Sequence, residues 1–129
     1  AARERAHHMR AVCEDICKQY LSKLLLEGKC AVNFSDIGRW WGTNPKTKSQ
    51  EEIDIMGIDK DSALFAECKW TNAKVDIGVL ETLVERSELF YHIDKHYYLF
   101  AKTDFTKACI DKANEMGNVT LVKYADILK

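Results

Sequence analysis

The chain has 129 residues, of which 47% are hydrophobic and 30% charged, and its formal net charge is −1. A chain of this size can bury a core without disulfides or metals, so we expect one globular domain. The near-neutral charge argues against a dedicated nucleic-acid-binding module, which is usually basic. No apolar run approaches the roughly 20 residues that span a bilayer, and no signal-peptide pattern occurs, so we expect a cytoplasmic protein with no membrane partner.

The five cysteines predict free thiols in a reducing compartment, because their number is odd and no CxxC pair occurs. Cys13 and Cys17 are one helical turn apart, with His7 and His8 upstream. This spacing matches no common zinc pattern. We therefore interpret the two cysteines as small, half-buried helix residues.

Hydrophobic periodicity and turn residues predict the elements in chain order. A helix is expected over residues 5–27, ended by Gly28, and strands follow at 30–41, 52–58 and 63–70. A polar loop at 42–49 and a hairpin turn at 59–62 separate these strands. Next come a helix at 76–91 capped by Asp76, a strand at 96–102, a helix at 104–116 capped by Thr103, a strand at 119–122 and a helical turn at 124–128. The order α-β-β-β-α-β-α-β predicts an α/β domain with a mixed sheet flanked by helices.

The predicted hairpin turn fixes how the two central strands pair. Paired residue numbers across a turn at 59–62 sum to 121, so Asp54 lies opposite Glu67, and Glu52 lies opposite Lys69. Residues that are opposite each other, or two apart on one strand, share a face of the sheet. These four side chains should form one polar patch. The other face should hold small and apolar residues, namely Ile53, Ile55, Gly57, Leu64, Ala66 and Cys68.

Two carboxylates that face each other across a ladder repel unless a cation offsets their charge. Mg²⁺ takes one or two carboxylates, polarises phosphoryl oxygens and makes its bound water more acidic. Lys69 would then orient or deprotonate the attacking water, or stabilise charge on the phosphate. The alternative is a solvated strand face that carries a Glu52–Lys69 ion pair.

The chain resembles the PD-(D/E)XK nuclease superfamily in one signature. Asp54, then twelve residues, then Glu67-Cys68-Lys69 is similar to the family's Asp...Glu-x-Lys pattern, although Ile53 stands where the usual proline precedes the acid. The resemblance implies a restriction-endonuclease-like fold and a metal-dependent deoxyribonuclease that uses Mg²⁺ or Mn²⁺. Many members also place a glutamate on the first helix near the metal.

The resemblance thus implies catalytic roles for four residues, Asp54, Glu67, Lys69 and Glu14. The three acids among them, Asp54, Glu67 and Glu14, would be the metal ligands. Glu14 fits the first-helix position because it shares a helical line with Cys17 and Leu21. The alternative for Glu14 is a surface acid beside Asp15.

A narrower resemblance rests on three stretches of sequence. The segments 51–55 (EEIDI), 67–70 (ECKW) and 38–41 (GRWW) are similar to the C-terminal domain of unknown function, of the DUF234 type, that follows the P-loop ATPase domain of archaeal-type ATPases. No GxxxxGK[ST] motif occurs, and the chain starts at Ala1 without methionine. We therefore expect residues 1–129 to be one nuclease-like domain, the C-terminal fragment of a longer ATPase.

Basic residues beside the acidic strands are candidates for contacts to a DNA backbone. They are Arg39, Lys46, Lys48 and Lys74, whereas we interpret the neighbouring Trp40, Trp41 and Trp70 as core residues. Three hypotheses follow: an endonuclease acting on DNA, an inactive nuclease fold that gives DNA or protein contacts to an ATPase, and a homodimerising structural domain. The complete signature favours the first hypothesis, and the near-neutral charge favours the second.

Overall fold

The computed structural model describes residues 2–92 and 94–128. In the first helix, the side chains of residues 2, 3, 6 and 7, which include His7, lie outside the described set. The helices are α1 (Ala2–Leu26), α2 (Ile77–Ser87), α3 (Lys107–Met116) and α4 (Tyr124–Ile127). The strands are β1 (Ile37–Thr43), β2 (Gln50–Asp59), β3 (Ser62–Lys69), β4 (Asp94–Ala101) and β5 (Val119–Lys123). Among the described residues, no helix is long and apolar enough to cross a bilayer.

The predicted order of elements is confirmed, while several boundaries differ by one to seven residues. β1 begins at Ile37 rather than at residue 30. The segment before β1 instead inserts Val32 and Phe34 into the core, and the Ala31 N–H donates to the Tyr98 hydroxyl. The second helix ends at Ser87, before residue 91. The third helix is capped by Thr106 rather than by Thr103, because the Thr106 hydroxyl accepts from the Cys109 N–H.

One five-stranded mixed sheet, in the order β1-β2-β3-β4-β5, organises the fold. β1, β2 and β3 are antiparallel neighbours, whereas β3, β4 and β5 run parallel and are joined by α2 and α3. The predicted hairpin register is confirmed from Asp59↔Ser62 to Ile55↔Ala66, whose numbers sum to 121. The turn needs a left-handed backbone at Lys60, where φ is 51°.

Helices cover both faces of the sheet. α1 lies on one face and buries a cluster that includes Cys13, Cys17 and Leu21 with Cys68 of β3. α2 and α3 lie on the other face, where Leu80, Leu83, Cys109 and Ala113 pack on Phe65, Tyr97 and Leu99. Both faces of the central strands are therefore buried, as in other sheets with helical crossovers.

β2 carries a bulge beside the predicted acidic position. The pairing with β1 shifts from Gly38↔Met56 to Trp40↔Ile53, so β2 has one extra residue between Ile53 and Met56. Ile53 packs against the α2–α3 side of the sheet, whereas Ile55 packs against α1. The prediction that Ile53 and Ile55 share a face is therefore wrong, because the bulge breaks the twofold alternation of the strand.

Candidate active site

The acidic signature residues lie where β2 and β3 separate. The regular pairing of these strands ends at Ile55↔Ala66, one residue before Asp54 and Glu67. Beyond that point a cleft of about 460 Å³ opens, lined by Asp54, Glu67 and Lys69 together with Arg10, Gln50, Glu52, Cys68 and Arg86. Asp54 and Glu67 thus sit on adjacent antiparallel strands and line one cleft with Lys69, although the predicted pairs Asp54↔Glu67 and Glu52↔Lys69 lie beyond the regular ladder.

Asp54 is almost fully buried, with 7% of its surface exposed. Its Oδ2 accepts a hydrogen bond from the Cys68 N–H at 3.0 Å, and its Oδ1 lies 3.5 Å from the Arg39 guanidinium. The bulge in β2 positions this carboxylate, because it ends the regular ladder and leaves the Cys68 N–H to a side-chain acceptor. Asp54 therefore ties the two strands together at the mouth of the cleft.

Glu67 is equally buried, and it is incompletely satisfied. Its Oε2 has no hydrogen-bond partner among the described residues, and its Oε1 lies 4.0 Å from Arg86. Burial, reinforced by repulsion from Asp54, raises the pKa of Glu67 to about 7, against the opposing effect of Lys69. A buried carboxylate with an unused oxygen and a raised pKa is typical of a functional site.

Glu14 points inward from α1 and is buried, so the surface-acid alternative is not what the structure shows. It accepts a hydrogen bond from the Arg39 guanidinium. Burial, and then the nearby charge of Asp54, raises its pKa, while Arg39 opposes that rise. The first helix thus brings a third carboxylate near Asp54, in the place that the family resemblance implies.

Arg39 joins three carboxylates into one network. Its guanidinium contacts Glu14, lies 2.9 Å from Glu52 and 3.5 Å from Asp54, and its side chain is 25% exposed. Glu52 also lies 3.4 Å from Arg10 of α1, and it makes these contacts in place of the Glu52–Lys69 pair considered above. Arg39, a candidate DNA contact by sequence, is therefore mainly a counter-charge inside the acidic network.

Arg86 is a residue of this cleft that the sequence interpretation missed. Its Nε pairs with Glu51 at 2.8 Å, and its guanidinium donates to the Glu52 carbonyl at 2.8 Å. The helical spacing could have predicted it. Arg86 follows Val79 by seven residues and Leu83 by three, so it lies on the same, buried side of α2 as these two residues. An arginine on the apolar stripe of a helix indicates a buried acidic partner.

The remaining candidates differ in their exposure. Lys69 is half-buried at its wall, while Lys46, Lys48 and Lys74 are exposed. Trp40 packs on Phe90 and Trp70 on Tyr124, as expected of core residues. Trp41 is 69% exposed on the edge strand β1, so its interpretation as core is wrong, because successive strand residues face opposite sides and Trp40 takes the side that packs on the α2–α3 core.

The carboxylates supply the kind of donor atom that a hard divalent cation prefers. Asp54, Glu67 and Glu14 supply only oxygen donors, and the unpartnered Oε2 of Glu67 has no other ligand among the described residues. Mg²⁺ and Mn²⁺ prefer such oxygen donors. The donor set is thus chemically suited to the metal that the sequence signature implies.

One family model matches the chain. The DUF234 family, described as archaea bacterial proteins of unknown function, matches residues 2–80, which is more than half of the sequence. The chain belongs to this family. The matched region runs from α1 into α2 and contains Glu14, Asp54, Glu67 and Lys69. No curated protein matches the sequence.

Solved structures establish the fold. The chain is similar to the crystal structure of a protein of unknown function, AF1548, with a TM-score of 0.56, 18% identity and coverage of 85% of this chain and 59% of that one. It is also similar to the MspJI restriction endonuclease in complex with a 27-mer oligonucleotide, with a TM-score of 0.54, 10% identity and coverage of 88% of this chain and 26% of that one. The fold is therefore restriction-endonuclease-like, as predicted. The chain spans only part of each of these proteins.

Proposed function

We propose that this domain is a metal-dependent endonuclease that hydrolyses DNA phosphodiester bonds. The observation that carries the proposal is the cleft at the end of the β2–β3 ladder, where buried Asp54 and Glu67 stand beside Lys69. Two carboxylates buried this close are costly unless they serve a cation, and Glu67 keeps one oxygen without a partner among the described residues.

The metal ligands in this proposal are Asp54 and Glu67, with Glu14 as a third carboxylate that acts directly or through water. Mg²⁺ or Mn²⁺ bound there would polarise a phosphoryl oxygen and make a bound water more acidic. Asp54 has one oxygen committed to Cys68, so Oδ1 is the atom that faces the cleft and Arg39. Glu67 must lose its proton to act as a ligand, and with a pKa of about 7 it is still partly ionised near neutral pH, where a bound cation would favour the ionised form.

Lys69 provides the cationic group of the reaction. It follows Glu67 by two residues on β3 and lines the same cleft, so its ammonium can reach a phosphate or a water held there. It would orient the attacking water or stabilise negative charge on the phosphate. Arg86 holds Glu51 and approaches Glu67, which makes it a positioning residue rather than a catalytic one.

DNA is the substrate that the surroundings of the cleft support. Exposed Lys46 and Lys48 lie in the loop between β1 and β2, Trp41 is exposed on β1, and Lys74 is exposed after β3. Lysines attract phosphates, and an exposed tryptophan offers a stacking surface for unpaired bases. The similarity to a restriction endonuclease that binds an oligonucleotide supports the same class of ligand.

The test is incubation with plasmid and branched DNA in Mg²⁺ and in Mn²⁺. We expect metal-dependent cleavage by the parent, and loss of cleavage in Asp54→Asn and in Lys69→Ala. Lys112→Ala is the matched control, because Lys112 lies on α3 and pairs with Glu115. Cleavage that persists in both site variants would assign the activity to a contaminant and reject the proposal.

Arg39 favours a second candidate function, an inactive nuclease fold that gives DNA or protein contacts to a P-loop ATPase. Its guanidinium lies against Glu14, Glu52 and Asp54 and offsets part of their negative charge. In that case DNA binding would be metal-independent, and no DNA substrate would be cut. Binding measured with and without EDTA, beside the cleavage assay, separates the two functions.

Three further expectations complete the proposal. The family resemblance supports a P-loop ATPase domain in the same full-length chain, of which residues 1–129 would form one domain. The exposed Trp41 on the edge strand β1 is compatible with a second copy as a partner, which sedimentation at increasing concentration would test. Five free cysteines support a cytoplasmic location.

A further inference from the structure

Three cysteines meet between α1 and the sheet. Cys13 and Cys17 extend from consecutive turns of α1, and Cys68 extends from β3 on the face that α1 covers. Their three sulfur atoms all lie within 4.8 Å of one another, and all three side chains are buried. The other two cysteines lie elsewhere: Cys30 is near the Tyr98 hydroxyl, and Cys109 is on the opposite face of the sheet.

The spacing of these sulfurs suits a single metal ion. A metal–sulfur bond of about 2.3 Å places the sulfurs of a trigonal or tetrahedral thiolate site about 4 Å apart. The observed separation needs only small rotations of the three side chains to reach that value. One ligand comes from a strand and two come from a helix packed on it, so the fold itself holds the donors together.

A cleft gives access to this cluster from solvent. Its volume is about 500 Å³, and its lining includes Cys13, Cys68 and Met9. Met9 precedes Cys13 by four residues, so its thioether lies one helical turn away on the same side of α1. The approach to the thiols is therefore itself lined by a soft sulfur donor.

We propose that Cys13, Cys17 and Cys68 bind one soft, thiophilic cation, for which Cu(I) is the best match. Thiolate and thioether ligands select Cu(I) over hard cations. Structural zinc sites need four protein ligands, and three thiols are found together among the described residues. On binding, the metal replaces protons on the thiols, which are released to solvent.

This site is chemically separate from the carboxylate cleft, although the two are neighbours. Cys68 stands between Glu67 and Lys69, and its N–H donates to Asp54. The carboxylates take hard cations through oxygen, whereas the thiols take soft cations through sulfur. The proposal therefore stands whether or not the domain cuts DNA.

The test is anaerobic titration of the reduced chain with Cu(I) against a competing Cu(I) chelator, followed by thiolate-to-metal charge-transfer absorption. We expect one equivalent of metal in an all-sulfur environment by X-ray absorption. Cys17→Ala should weaken binding by more than about 100-fold, since even changes outside the ligand shell cost about 10–100-fold. Cys109→Ala, which also removes a fully buried thiol, is the matched control and should bind as the parent does.

A second measurement on the parent protects against a variant that does not fold. Bound Cu(I) should slow alkylation of Cys13 and Cys68, read by mass spectrometry, and leave Cys30 unchanged. Zn²⁺ and Cd²⁺ are titrated in parallel, and tighter competition by Zn²⁺ than by Cu(I) would overturn the choice of metal. Equal affinity in parent and a folded Cys17→Ala variant, or equal protection of all cysteines, would overturn the site.

Discussion

The Asp54 carboxylate accepts the backbone N–H of Cys68 at 3.0 Å, just beyond the last regular pair of β2 and β3. A carbonyl of the neighbouring strand usually receives such a bond, so the side chain here takes over a position in the ladder. One carboxylate oxygen is structural, and the other lies 3.5 Å from the Arg39 guanidinium. Substitutions of Asp54 can therefore separate the loss of the negative charge from the loss of the hydrogen bond to Cys68.

Asp54→Asn should fold and lose most of the metal response. The amide oxygen can still accept from Cys68, whereas the charge that attracts a cation is gone. Mn²⁺ should raise the melting temperature of the parent by mass action and that of the variant much less. Differential scanning fluorimetry over a metal series measures both.

Asp54→Ala is the comparison variant. It leaves the buried Cys68 N–H without an acceptor, which costs about 1–3 kcal/mol of the free energy of unfolding. We expect this variant to be less stable than Asp54→Asn without metal. Identical Mn²⁺ shifts in the parent and Asp54→Asn would mean that the carboxylates do not bind the ion.

Stability without metal should fall as pH rises through neutrality. The pKa of Glu67 is raised from 4.5 to about 7, so between these values the folded chain binds more protons than the unfolded chain. Its contribution to stability is then fully present below pH 4.5, declines as pH rises from 4.5 to 7, and is lost above that, by an amount on the order of 3 kcal/mol in total. Glu14 contributes in the same direction, because its pKa is also raised.

Glu67→Gln isolates this effect. The variant cannot ionise, so it should match the parent near pH 5 and exceed it at pH 8 by about 1–3 kcal/mol, measured by urea denaturation. Glu81→Gln, at an exposed position of α2, serves as control and should follow the parent. A parent whose stability rises between pH 5 and 8 relative to Glu67→Gln would contradict the assigned cause.

The sequence predicted the parts of the site that depend on regular geometry. The hairpin register, and with it the meeting of Asp54, Glu67 and Lys69, follows from the turn at 59–62. The bulge in β2 could not be predicted, since nothing local at Asp54 signals an extra residue. Its consequence, the reversed face of Ile53, was missed for that reason.

Contacts between distant elements were the other limit of the sequence interpretation. The helical spacing of Cys13 and Cys17 is visible in the chain, whereas the third thiol, Cys68, joins them only through the packing of α1 on β3. Arg39 was likewise predicted from the sequence as a DNA contact, because Glu14 comes to lie beside it only when α1 packs on the sheet. Pattern predicts the face of a residue where a strand is regular, and tertiary packing determines which residues from other elements it contacts.

Two glycines should respond oppositely to alanine. A Cβ at Gly57 would lie 2.6 Å from Ile37 Cγ2 and 3.0 Å from Phe34 Cβ, so Gly57→Ala should destabilise the fold by about 1–3 kcal/mol. Gly78 lies in the first turn of α2, and a Cβ there would meet no atom within 4 Å, so Gly78→Ala should stabilise by about 0.5–1 kcal/mol. Thermal denaturation measures both, and a destabilised Gly78→Ala would mean that this helix end is more crowded than the contacts indicate.

Arg39 should compete with the metal for the carboxylates. Its guanidinium contacts Glu14, Glu52 and Asp54, and two of these acids are buried. Arg39→Gln removes that charge and leaves the acids to repel one another. Without metal, this should lower the free energy of unfolding by about 2–4 kcal/mol, because Glu14 and Asp54 are buried. A divalent cation can then take over the neutralising role, so the Mn²⁺-induced rise in melting temperature should exceed that of the parent.

Arg10→Gln is the matched control for this competition. Arg10 touches the same Glu14 and Glu52 at 3.4 Å, but its side chain is 51% exposed, so its loss should cost less than about 1 kcal/mol and leave the Mn²⁺ response unchanged. Isothermal titration with Mn²⁺ on the three proteins gives the affinities directly. A charge that competes with the metal lowers the affinity of the parent, so removing it should strengthen Mn²⁺ binding. Weaker Mn²⁺ binding by Arg39→Gln than by the parent would contradict competition. It would mean instead that Arg39 orients the carboxylates for the metal.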